Sequence, residues 1–170
     1  PAMRELPLGI PKVMISTVAS GDTAPYVAGS DILMLNAVAD IQGLNQITRK
    51  VLANGANALA GMVQENERHS EEKETASKPV LGMTMFGITT PCVDTLTSHL
   101  ENQYECLVFH ATGSGGRSME ALVDQGIIGT VIDITTTEIA DLIAGGIMPA
   151  SEERLDVMAR RSVPYVGSCG

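Results

Sequence analysis

From residue 80 onward the chain alternates short apolar runs with longer amphipathic ones, and this alternation limits the possible folds more than any other feature. The runs at 80–86, 105–111, 128–134 and 163–167 read as strands, and the stretches at 91–102, 116–125, 137–145 and 151–161 read as helices. Strands separated by helices return in the same direction, so they build a parallel sheet with helices on both faces. Val80 to Phe86 and Ile127 to Ile134 are apolar almost throughout, as strands covered on both sides must be. The expected fold is α/β, a Rossmann-like three-layer sandwich with a mainly parallel sheet.

The first half carries a sparser version of the same pattern. Val13 to Val18, preceded by Gly9 and Pro11, reads as a strand that runs into the polar turn Ser20-Gly21-Asp22-Thr23, and Asp31 to Val38 reads as a second strand. Ile47, Val51, Leu52, Leu59, Met62 and Val63 recur at helical spacing over 45–66, although Gly55 and Gly61 weaken that helix. Residues 65–79 are polar and charged without an apolar period and read as a linker. We therefore expect parts of two Rossmann-like domains, the later part of the first with the linker at 1–74 and the earlier part of the second at 75–170. The chain begins at Pro1 and stops at Gly170 just after an apolar strand, so we expect an excised piece of a longer protein.

Composition narrows the function classes. Eleven basic against twenty acidic residues give a net charge of −9, which opposes direct nucleic-acid binding and adhesion to anionic membranes. No apolar run approaches the ~18 residues of a membrane span, and no basic segment leads into an apolar one as in a signal peptide. We expect a cytoplasmic protein. Only 18% of residues are charged, below the roughly 25% of an average domain, and this predicts assembly. Cys92, Cys106 and Cys169 are scattered, as are His69, His99 and His110, so neither a disulfide framework nor a zinc site is expected.

In an open parallel sheet ligands bind beyond the carboxyl ends of the strands, where each loop leads to a helix N-terminus. Three such loops carry hydroxyls or bare backbone: Gly87-Ile88-Thr89-Thr90-Pro91-Cys92, Thr112-Gly113-Ser114-Gly115-Gly116-Arg117-Ser118, and Thr135-Thr136-Thr137-Glu138. The second is predicted to be a phosphate cradle, with converging glycine amides and a bidentate contact from Arg117. The plainer reading is a tight turn whose glycines only permit positive φ. Gly113, Gly115 and Ser118 stand where a G-x-G-x-x-G motif has its glycines, and Asp133 falls twenty positions after Gly113, where a dinucleotide site has its ribose-binding acid. An NAD-type cofactor is thus a rival. Cys92 reads as a small buried side chain, or alternatively as a thiol activated by the helix dipole in the first turn, and His110 as a candidate acid or base near the glycine-rich loop or as a hydrogen-bonded residue near a strand end. Glu138 and Asp141 read as a solvated helix face, or alternatively as indirect holders of Mg²⁺.

Four blocks carry a resemblance: Leu6 to Gly21, Met85 to Val93, Val108 to Glu120 and Asp133 to Asp141. Together they resemble an uncharacterised bacterial and fungal family similar to the N-terminal region of the tomato-mosaic-virus resistance protein. The resemblance covers nearly the whole chain outside 65–79. It implies two Rossmann-like domains, ATP binding with Mg²⁺ alongside the nucleotide, and a tendency to dimerise, but it brings no established reaction. A glycine-rich stretch that precedes the segment matching Pro1 in the family is absent here. The candidate binding residues are Ser20, Gly21, Thr89, Thr90, Thr112, Gly113, Ser114, Gly115, Gly116, Arg117, Ser118, Thr135, Thr136 and Thr137. The expected function is that of a nucleotide-binding α/β protein, with a non-catalytic regulatory or scaffold module as the alternative.

Overall fold

A computed structural model describes residues 2–27, 29–71 and 78–170. The chain divides into two compact units, 1–75 and 76–170. In the first, strands β1 (Val13–Ser16) and β2 (Leu33–Asn36) pair in parallel, with Val13 opposite Leu33, and the short helix α1 (Ala24–Val27) lies between them in sequence. Helix α2 (Gln46–Glu71) follows. Asn45 caps it, its side-chain oxygen accepting from the amides of Ile47 (2.9 Å) and Thr48 (3.0 Å) while Thr48 Oγ1 accepts from Asn45 N–H (2.8 Å). Gly55 serves a purpose that periodicity does not show: a Cβ there would stand 2.4 Å from Ile15 Cδ1, so glycine lets α2 lie directly on β1. The helix continues five residues past the expected end at 66, into the stretch read as linker; the rest of that stretch up to residue 77 lies outside the described residues.

The second unit holds a four-stranded parallel sheet in the order β4-β3-β5-β6, formed by β3 (Val80–Met85), β4 (Glu105–His110), β5 (Thr130–Asp133) and β6 (Tyr165–Gly167). Helices α3 (Thr90–Leu100), α4 (Ser114–Asp124), α5 (Thr137–Ala144) and α6 (Asp156–Arg160) connect them. Alternation along the strands sends side chains to two separate cores. Leu81, Met83 and Ile132 meet Val93, Leu96 and Leu100 of α3 on one face. Val131, Leu107 and Phe109 meet Met119 and Val123 of α4 and Val157 and Met158 of α6 on the other. Three layers result, as the alternation predicts.

Two helices differ from the sequence reading. Helix α4 starts at Ser114 rather than 116, so most of the glycine-rich segment is its first turn. Helix α6 is cut to Asp156–Arg160, because 152–155 form turns that carry Arg154 inward.

Candidate functional site

After β3 the chain crosses to β4 on one side, whereas β5 lies on the other side of β3. Loops leaving neighbouring strands β3 and β5 therefore part in opposite directions and open a crevice, the place where doubly wound sheets bind ligands. A cavity of about 790 Å³ fills it, within the roughly 300–1,000 Å³ of small-molecule sites. Its apolar walls include Phe86, Ile139, Ile143, Leu155 and Tyr165, and its polar side chains are those of Thr89, Thr135, Thr136, Thr137 and Ser168, with the thiol of Cys169 beside them. Among the described residues no acidic, basic or histidine side chain lines it.

The threonines are held by one another. Thr89 Oγ1 accepts from Phe86 N–H (3.1 Å) and stands 2.6 Å from Thr135 Oγ1. The amide of Thr135 donates to Thr84 Oγ1 (3.0 Å), whose hydroxyl donates to Asp133 Oδ1 (2.5 Å). Thr136 Oγ1 donates to the carbonyl of Ser168 (2.9 Å). Thr137, the first residue of α5, makes no side-chain hydrogen bond among the described residues and stands at the positive end of the helix dipole.

Beneath this wall lies a charge cluster that sequence reasoning missed. Arg154, 3% exposed, donates through Nη2 to Asp133 Oδ2 (3.0 Å), with Nη1 3.4 Å from Glu120 Oε1 and Nε 3.5 Å from Glu138 Oε2. Asp133 also accepts from the Tyr165 hydroxyl (2.9 Å), and both Asp133 and Glu138 are fully buried. Burial, followed by the charge and hydrogen bond of Asp133, pushes the Tyr165 phenol up, so it stays a donor. Burial also lifts Glu120 from about 4.5 to about 7, against the pull of Arg154. A signal was present: an aspartate inside an apolar strand needs a buried partner.

The structure separates the sequence-predicted residues into three places. Thr89, Thr135, Thr136 and Thr137 share the crevice, whereas Thr90 does not line it and its hydroxyl donates to the Gly87 carbonyl (2.9 Å). The glycine-rich segment does not line it. The amides of Gly113 (2.5 Å) and Gly116 (3.2 Å) donate to Glu138 Oε1, and Gly115 abuts β4, where a Cβ would stand 2.0 Å from the His110 carbonyl oxygen. Thr112 and Ser114 belong to the same turn, and Ser118 Oγ donates to the Ser114 carbonyl (3.1 Å). Arg117 is exposed and lines a different hollow of about 310 Å³ with Glu120, Ser151 and Arg160. Ser20 and Gly21 lie in the first unit, where Ser20 Oγ donates to the Thr17 carbonyl (2.8 Å) and Gly21 N–H to that of Val18 (3.0 Å).

Three expectations are corrected. Asp133 is committed to Thr84, Arg154 and Tyr165 and has no exposed surface to offer a ribose, which removes the acid on which the dinucleotide rival rested. Glu138 is buried rather than solvated, while Asp141 ties down a loop through the amide of Met148 (2.9 Å). Cys92 is exposed, since the first turn of α3 turns that position away from the core. His110 is exposed as well, its ring set edge-on to Phe86 with centroids 5.2 Å apart.

Comparison with known proteins agrees with the division of the chain. Residues 1–68 match the N-terminal domain of the uncharacterised protein family UPF0261, and residues 78–170 match its C-terminal domain. The chain belongs to the UPF0261 family. It is 55% identical over 168 residues to a UPF0261 protein of Mesorhizobium japonicum, covering 99% of this chain and 41% of that one. A UPF0261 protein of Clostridium tetani is 48% identical over 170 residues, with the same two shares. The ToMV resistance protein Tm-1 of Solanum lycopersicum is 49% identical over 171 residues, 99% of this chain and 23% of the tomato protein. UPF0261 relatives thus include bacterial and plant proteins, and this chain spans about two fifths of the bacterial ones. Among the described residues no helix is long and apolar enough to cross a membrane.

Proposed function

We propose that the 76–170 unit binds a nucleotide, ATP with Mg²⁺ in the first instance, in the crevice between the carboxyl ends of β3 and β5. The observation that supports this most is the cavity itself: it lies where the strand order reverses, has apolar walls suited to a planar ring, and meets the N-terminus of α5 beside Thr137. Phe86, Ile139, Ile143 and Leu155 would hold the ring, and Thr137 with the first-turn amides of α5 would meet phosphate. The amides of Gly113 and Gly116 are left out of the binding set because Glu138 uses them. No carboxylate lines the cavity, and no group of three or more metal-ligating side chains occurs among the described residues. The described residues therefore supply no Mg²⁺ ligand set, and the ion would be held by phosphate oxygens and water.

A non-catalytic regulatory or scaffold role is the second reading. It is favoured by a cavity whose described lining carries no acidic, basic or histidine side chain and by a Tyr165 hydroxyl whose hydrogen bond is donated to Asp133. Assembly as a homodimer and residence in the cytoplasm belong to the same proposal; Ile88 and Ile147, each 90% exposed, give assembly apolar surface. Titration calorimetry of the chain with ATP–Mg²⁺ and with NAD tests the binding. Saturable heat with ATP that disappears in Ile143→Glu supports the crevice, and equal heat in that variant refutes it. ATP hydrolysis by the binding-competent protein would overturn the module reading.

A further inference from the structure

We infer that the Gly113–Gly116 turn is an anion hole whose anion is the protein's own Glu138, and that this internal ligand positions α5 as a wall of the crevice. The positioning role rests on the crevice being the binding site; the anion hole does not. Its chemistry is the one expected of a phosphate cradle: two converging amides at the start of α4, one of them from a glycine at φ +85°, and a buried guanidinium alongside. The occupant is a carboxylate carried in from 22 to 25 residues downstream. The space is cut to its size, since a Cβ on Gly116 would stand 2.2 Å from Glu138 Oε2.

Helix α5 depends on this contact because it has little else. Glu138 is its one fully buried residue, and no α5 side chain belongs to either apolar core. Ile143 is 83% exposed, and Ile139 faces the cavity. Polar ties add to it: the Ala150 amide on the Glu138 carbonyl (2.8 Å), Asp141 on the amide of Met148 and the Thr136 hydroxyl on the Ser168 carbonyl. A helix whose one fully buried side chain is this carboxylate shifts when the carboxylate is lost, and with it shift Thr137, Ile139 and Ile143.

Chemical rescue tests the inference on the full chain. In Glu138→Ala the vacated hole is expected to take up formate, so sodium formate raises the melting temperature saturably while sodium chloride of equal ionic strength does not. ATP affinity should fall at least about ten-fold, as when the competent arrangement is populated a tenth of the time, and formate should restore it. Amide exchange should quicken over Ile139–Ala144 relative to α3 and slow again with formate. Glu138→Gln fills the hole without charge, so it should show quicker α5 exchange and no formate response. No more response to formate than to chloride in Glu138→Ala, or an equal formate gain in Glu138→Gln, overturns the anion hole. Unchanged α5 exchange in both variants overturns the positioning role. Should Glu138→Ala fail to fold with or without formate, α5 exchange in Glu138→Gln decides. If wild type takes no ATP, the crevice reading fails while formate and exchange still judge the hole.

Discussion

Replacing Arg154 with methionine is the sharpest test of the buried charge cluster. The arginine is the one buried cation of its unit among the described residues, and it faces Asp133, Glu138 and Glu120 at 3.0, 3.5 and 3.4 Å. Methionine keeps much of the volume but leaves two fully buried carboxylates without a counter-charge. Breaking a buried pair in this way costs about 3–5 kcal/mol, a large part of the roughly 5–15 kcal/mol that holds a domain together. At about 4–8 °C per kcal/mol for a unit of this size, the melting temperature should fall by roughly 12–40 °C. Urea unfolding followed by circular dichroism at pH 7 reads the effect. Adding Asp133→Asn and Glu138→Gln should recover a coupling energy of about 0.5–3 kcal/mol. A loss below about 1 kcal/mol for the single variant, or strictly additive effects, would refute the reasoning.

Three further outcomes are expected. Glu120 is raised from about 4.5 to about 7, so between those values the folded state holds the extra proton and stability falls as pH rises; Glu120→Gln should flatten that slope in thermal melts from pH 4.5 to 7.5. Gly115→Ala forces a Cβ against the His110 carbonyl oxygen and should cost about 1–3 kcal/mol, whereas Gly61→Ala on α2, where a Cβ meets nothing, should stabilise by up to about 1 kcal/mol; equal effects in urea titrations would contradict the close-approach assignment. Desolvation works against ionisation of Asp31, but Lys12 at 2.6 Å and the Gly9 amide hold its carboxyl below the ordinary range. Its stabilisation is present above pH ~4 and lost as pH falls through the lowered value, and Lys12→Met should reduce that acid-side loss, leaving the part due to the Gly9 amide.

What sequence alone reveals and what it hides can be seen in neighbouring residues. The near-continuous apolar runs of β3 and β5 announce buried parallel strands, because a strand covered on both faces has no polar side to show. Three strand-to-helix loops stood out as candidate site walls, since each must lead from a strand end into a helix, but only the fold shows that the loops after β3 and β5 line the crevice and the glycine-rich one after β4 does not. The linker was less legible: the residues after 66 lack apolar period, yet α2 runs on to Glu71, because solvent-exposed helical turns need no apolar face.

Local pattern determined the strands and the helices, which depend on periodicities spanning a few residues, whereas the meeting of Thr89 with Thr135, 46 positions apart, follows from the strand order. Tertiary structure alone decided what each charge and glycine does. Gly113 and Gly116 carry the signature of an anion site, and only the fold shows that the anion is Glu138. Asp133 has the spacing of a ribose acid, and only the fold turns it onto Arg154 and Tyr165. The physical reason is that a hydrogen-bond donor or a charge has no memory of sequence distance: it binds whatever complementary group the packed layers bring within about 3 Å, and that choice is made by strand order and helix placement rather than by neighbours along the chain.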